Sequence, residues 1–314
     1  MATFDPAYSR GFITPYEQVF NELRRESATA DDGTQIAYQV VGDGPETIVL
    51  ANGLGGRLYS WLGLIGPMQE HFRFISWDYR GLFESAGDQR PRTLAVTEHA
   101  ADLGAILDAE GIDNAHLIGW SMGVQVSLEF ALRQPERVQS LVLINGTYGQ
   151  VFSTAFQPFF PILLRHNAMH AAMELFIGNP ALLGSVKIAA RTPAEALFWL
   201  RKRIARQRPS RLTLGMRQYM RDVTTTNTGT FLKLFQELDA HSVYHELPEV
   251  EAPATIISGA FDYLTPAYQS RHIARRLPNA QHVSLKFGTH FVLLERPAAV
   301  LKAVDAHFSQ FLRT

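Results

Sequence analysis

Gly119-Trp120-Ser121-Met122-Gly123 spells G-x-S-x-G, a pattern that can present a serine for attack on a carbonyl. The five residues alone are weak evidence in a chain with 23 glycines, so their surroundings decide. An apolar run, His116–Trp120, precedes Ser121, and apolar residues at helical spacing follow from Met122 to Gln134. A sharp strand-to-helix turn there would lift the hydroxyl above the sheet edge, with flanking glycines relieving the crowding. The bland alternative is an ordinary glycine-rich turn.

A serine hydroxyl is a poor nucleophile at neutral pH and needs a base, itself oriented by a carboxylate. Both lie downstream, in the order Ser, Asp, His. Gly259-Ala260-Phe261-Asp262 directly follows the apolar run Ala254–Ser258, and Gly288-Thr289-His290 follows the run His282–Lys286. Of eleven histidines, only His290 falls in the loop after the last expected strand. The other place for an acid, after the run Ser140–Ile144, holds Asn145, whose amide cannot serve. Attack on an ester also places negative charge on the carbonyl oxygen, which backbone N–H groups can stabilise. The expected donors are Met122, after the nucleophile, and Leu54, in the glycine-rich Asn52-Gly53-Leu54-Gly55-Gly56.

The elements that must position these residues read as a doubly wound, mostly parallel sheet. Short apolar runs at Thr47–Ala51, Phe72–Trp77, His116–Trp120, Ser140–Ile144, Ala254–Ser258 and His282–Lys286 suit strands buried on both faces. Amphipathic helices are expected at Tyr59–His71, Ala95–Glu110, Met122–Gln134, Pro266–Leu277 and Ala298–Phe311. The N-terminal segment, 1–25, reads as a leader with a short helix Pro15–Arg25, followed by a hairpin turning at Asp31-Asp32-Gly33. The alternation breaks between Ile144 and Ala254, where Thr192-Pro193-Ala194-Glu195 has the form of a capping box and Phe231–Leu247 reads as helix. A helical cap, 149–248, inserted into an α/β core, 26–148 and 249–314, is therefore expected.

Composition narrows the function. A formal net charge of −1 gives no basic surface for nucleic acid, and the absence of cysteine excludes disulfides and thiolate metal sites. Neither a secretory signal nor an apolar run long enough to span a membrane is evident, so a cytoplasmic location is expected. Only 19% of residues are charged. That fits a cap rich in large apolar groups, among them Phe152, Phe156, Phe159, Phe160, Met169, Met173, Phe176, Phe198, Trp199, Met216, Met220, Phe231 and Phe235; most are expected to pack the cap onto the core, and some to line an apolar tunnel above Ser121. Two pairs at i, i+4, His166/His170 and His241/His245, lack a zinc protease's central glutamate and a third ligand, and read as structural. The basic stretch Arg201-Lys202-Arg203, Arg206, Arg208, Arg211 reads as a solvated face.

Together these motifs resemble the α/β-hydrolase superfamily, in its capped esterase/lipase-like branch, from about residue 33 to 314. Members of that family carry His-Gly-x-Gly-Gly at the oxyanion loop, where this chain has Asn52 for the histidine; backbone donors are unaffected. They also carry Asp-x-Arg-Gly-x-Gly, of which Asp78-Tyr79-Arg80-Gly81-Leu82-Phe83 keeps the first half. Asp78 and Arg80 read as structural, pairing near that loop. The expected activity is hydrolysis of a small apolar carboxylic ester through an acyl-enzyme on Ser121, His290 and Asp262, with no metal or organic cofactor. C–C bond hydrolysis, lactone opening or cofactor-free perhydrolysis on the same residues stays open, as does a non-catalytic small-molecule receptor.

Overall fold

The structure, a computed structural model, describes residues 23–87, 91–155, 162–179 and 211–309. Among them, eight strands form one sheet: β1 (Arg24–Thr29), β2 (Gln35–Val41), β3 (Glu46–Ala51), β4 (Phe72–Trp77), β5 (Ala115–Trp120), β6 (Val138–Ile144), β7 (Ala254–Gly259) and β8 (Ala280–Leu285). Their order is β1-β2-β4-β3-β5-β6-β7-β8. β1 and β2 pair antiparallel, β2 meets β4 antiparallel, and all later pairings are parallel. This is the α/β fold that the strand–helix alternation implies.

The central strands are apolar on both faces because both are covered. Alternate residues of β3 diverge: Val49 and Ala51 enter one core, Ile48 and Leu50 the other. On the first side lie α2 (Val96–Ala109), α3 (Met122–Arg133) and α8 (Ala267–Arg276), and on the second α1 (Leu62–Met68) and α10 (Pro297–Phe308). α9 (Val292–Glu295) leads into α10. The two edge strands, β1 and β8, are more open to solvent.

Between β6 and β7 stand α4 (Val151–Thr154), α5 (Ile162–Gly178), α6 (Arg211–Thr225) and α7 (Thr228–Ala240). Asn227 caps α7 by accepting the N–H of Thr230 at 3.2 Å. The expected helix Phe231–Leu247 ends earlier. His241 turns extended (φ −83°, ψ 145°), and Val243 N–H donates to Tyr148 at 2.9 Å, so the chain after Ala240 is drawn into sheet-like pairing. The expected leader helix is also corrected at its end, since Arg24 and Arg25 pair with Val40 and Gln39 in β1. The rest of that leader, the capping box at 192–195 and Phe156, Phe159, Phe160, Phe198 and Trp199 lie outside the described residues, as does the basic stretch up to Arg208.

Asp78 and Arg80 do pair, but not with each other. Arg57 grips Asp78 with two bonds of 3.2 and 3.0 Å, while Arg80 holds Asp102 at 2.7–3.0 Å and Asp32 at 2.6 Å. Both pairs anchor the loop after β4. No helix among the described residues is long and apolar enough to cross a membrane.

Candidate active site

Ser121 sits between β5 and α3 with φ 56° and ψ −113°, a conformation side chains rarely adopt. Its N–H donates to Ile144 O at 3.0 Å, which ties the turn to the neighbouring strand. The flanking glycines are required by contact rather than by their own dihedrals. A Cβ on Gly119 would strike the carbonyl of Gly123, and one on Gly123 the carbonyl of Ala51. Holding a non-glycine residue in such a conformation costs about 1–3 kcal/mol, met by the surrounding packing.

Two further loops, after β7 and β8, bring Asp262 and His290 to this turn. His290 Nε2 lies 2.9 Å from Ser121 Oγ, and His290 Nδ1 lies 2.9 Å from Asp262 Oδ2. All three residues are buried or nearly so. A carboxylate facing Nδ1 accepts its N–H, leaving the Nε2 lone pair to accept the serine proton. Asp262 Oδ1 accepts the N–H groups of Leu264 (2.9 Å) and Thr265 (2.8 Å). Thr265 Oγ1 lies 2.8 Å from Asp262 Oδ2, 2.8 Å from Asn145 O and 3.2 Å from His290 Nδ1.

Asn145, passed over as an acid, ties the two loops together. Its Nδ2 donates to Thr289 O and its Oδ1 accepts the N–H of Gly259, both at 2.7 Å. Trp120 Nε1 donates to His290 O at 3.0 Å, fixing the histidine's own backbone. None of these supports follows from spacing, although Asp-x-x-Thr is the kind of turn in which side chain and backbone bond locally.

Leu54 and Met122 both line the space over Ser121. Gly56 N–H donates to Gly53 O at 2.8 Å, and Gly55 has φ 78° while Leu54 does not turn positive. That is a type II turn with glycine at its third position. Asn52 supports it from below: its Nδ2 donates to Trp77 O (2.7 Å) and Ser76 Oγ (3.0 Å), its Oδ1 accepts Trp61 Nε1–H (2.7 Å), and its carbonyl accepts Tyr79 O–H (2.6 Å). From α6, Tyr219 O–H donates to Leu54 O at 3.0 Å. Met122 opens α3, whose first-turn N–H groups have no partner within the helix.

A cavity of about 270 Å³ adjoins Ser121 and His290. Its walls are largely apolar, with Phe152, Met169, Met173, Leu232, Phe235 and Leu238 from the helices between β6 and β7. The described residues lining it include no aspartate, glutamate, lysine or arginine.

Two of the four discounted histidines, His170 and His241, have other work, and the side chain of His166 lies outside the described residues. His170 Nε2 is 3.1 Å from Asp239 Oδ2, and His241 lies between Gln125 and Glu129. No group of three potential metal ligands occurs among the described residues. His241 and His245 are not on one helix face, since α7 ends before them.

The sequence profile of the alpha/beta hydrolase fold family matches residues 46–297. The chain belongs to that family. Among its relatives within or beyond the family is the "Putative carbamate hydrolase RutD" of Stutzerimonas stutzeri, 29% identical over 78% of this chain and 84% of the relative. Among solved structures, an esterase (EaEST) from Exiguobacterium antarcticum superposes with a TM-score of 0.73 at 16% identity, covering 91% of this chain and all (100%) of the other. The enol-lactonase from Burkholderia xenovorans LB400 superposes with a TM-score of 0.67 at 24% identity, covering 90% and 100%. At such identities these neighbours share the fold.

Proposed function

We propose that this hydrolase-fold protein cleaves a neutral, apolar carboxylic ester through an acyl-enzyme on Ser121. The observation that carries the reading is the unbroken relay Asp262–His290–Ser121, with both hydrogen bonds at 2.9 Å. His290 takes the Ser121 proton as the hydroxyl attacks the ester carbonyl. Asp262 holds the imidazole in the needed tautomer and stabilises its cationic form. The N–H groups of Leu54 and Met122 receive the oxyanion. The alcohol leaves with the proton from His290, and water then attacks the acyl-enzyme by the same route.

The segment 149–248 acts as a cap over a core of 26–148 and 249–314, supplying the apolar wall of the cavity. That wall separates this reading from the one suggested by the carbamate-hydrolase name of the relatives. A small carbamate anion needs a cation or several donors to replace its water, and the described residues that line the cavity include no lysine or arginine. Cyclic esters enter by the same chemistry as open ones.

The test is a series of p-nitrophenyl esters of increasing acyl length, run on wild type and Ser121→Ala. kcat/KM should rise with length until the cavity is filled, and Ser121→Ala should lose at least about 10⁴ of it. A flat or falling series, or activity untouched in Ser121→Ala, would reject the reading.

A further inference from the structure

Gln125 lies one helical turn beyond Ser121 on α3, so the two residues share a face. It lines the cavity next to Ser121 and Met122, yet it is fully buried. Its amide is half used. Oε1 lies 2.8 Å from His241 Nδ1, and His241 Nε2 lies 2.9 Å from Glu129 Oε2, which Arg133 holds in turn. With the carboxylate oxygen of Glu129 and the amide oxygen of Gln125 both accepting, both ring nitrogens donate, and this holds Oε1 toward the ring and turns Nε2 away. Gln125 Nε2 has no partner among the described residues. A buried N–H₂ group left unsatisfied costs about 1–3 kcal/mol, so native structures seldom leave one without a purpose.

We propose that Gln125 Nε2 donates a hydrogen bond to the substrate, and that the natural ester carries a neutral oxygen acceptor, a carbonyl or an ether, in its acyl part. This deepens the ester reading and rests on it. Position sets where the oxygen lies. Four residues of helix rise about 6 Å, so the acceptor is a few bonds from the scissile carbonyl. Chemistry sets its charge. One amide donor in a cavity whose described walls hold no lysine or arginine satisfies a neutral oxygen, not a carboxylate. A purely aliphatic acyl chain would leave Nε2 unsatisfied; the right oxygen would end that deficit.

The test uses four p-nitrophenyl esters of equal length: heptanoate, 3-propoxypropanoate, 4-ethoxybutanoate and 5-methoxypentanoate. Each kcat/KM is divided by the ester's rate with hydroxide, which removes intrinsic reactivity. In wild type one ether should exceed heptanoate by about tenfold. Gln125→Leu should put heptanoate ahead. Gln125→Glu, which keeps an acceptor for His241 and removes the donor, should do the same and guards against misfolding of the first variant. A second arm measures binding of the corresponding methyl esters to Ser121→Ala by calorimetry, where the same ether should bind about tenfold more tightly than methyl heptanoate. Wild-type turnover with no ether ahead, or a preference unchanged in both Gln125 variants, overturns the proposal while the ester reading stands. An ether preference in binding, with no ester turned over by wild type, rejects the ester reading and retains the donor.

Discussion

Asp262 receives two backbone N–H groups on one oxygen while its other oxygen faces His290, so its orientation does not depend on the histidine. Asp262→Asn can keep those backbone bonds through its remaining oxygen. Its N–H₂ would then face Nδ1, driving the imidazole proton to Nε2 and removing the lone pair that accepts from Ser121. We expect turnover to drop by about 10⁴ with the far-ultraviolet circular dichroism spectrum unaltered; turnover within tenfold of wild type would reject that acid. Ser121, Asp262 and His290 were readable because each directly follows an apolar run at a strand end. Thr265, Tyr219 and Gln125 were not. A hydroxyl or amide on a helix or turn obeys no spacing rule that separates a working role from a solvated one.

At the scale of elements, the loops after β3, β5, β7 and β8 that carry the proposed site meet because their strands lie close together in the parallel part of the sheet, all pointing the same way. Strand positions could be read within a few residues, since runs buried on both faces leave a strong signal. The end of α7 could not, because the pull on residue 243 comes from Tyr148, far back in the chain. The link between α6 and the proposed oxyanion turn at Leu54 is likewise a tertiary event. Tyr219→Phe removes the donor to Leu54 O and loosens the turn. Its effect should fall on kcat, about tenfold, with KM changed less, because the oxyanion exists only beyond the ground state. An equal rise in KM with kcat preserved would make Tyr219 a binding residue instead.

Across the molecule, the buried face of the sheet away from the site holds a polar knot. Ser140 Oγ lies 2.7 Å from His116 Nδ1 and 2.8 Å from His307 Nε2, while His307 Nδ1 lies 2.9 Å from Thr255 Oγ1. Burial lowers the pKa of each histidine to about 4. An unfolded histidine titrates near 6.5, so between that pH and about 4 the unfolded chain binds protons that the folded chain refuses. Stability is thus full above pH 6.5 and falls as pH drops toward 4. His307→Gln removes one such site. In urea titrations from pH 7.5 to 4.5, wild type should lose more stability than His307→Gln, the difference reaching about 2.5 kcal/mol. Parallel losses would show that this histidine does not titrate as its burial requires.

The left-handed backbone of residue 121 also sets the proposed nucleophile's reactivity against heat resistance at this one position. Glycine visits φ 56° without penalty. Ser121→Gly should therefore be catalytically dead yet melt higher than wild type, by about 2–4 °C for each kcal/mol released. Calorimetric scans of the two proteins would decide it: a lower melting temperature for the glycine variant would mean that the hydroxyl's bond to His290 outweighs the relief of strain.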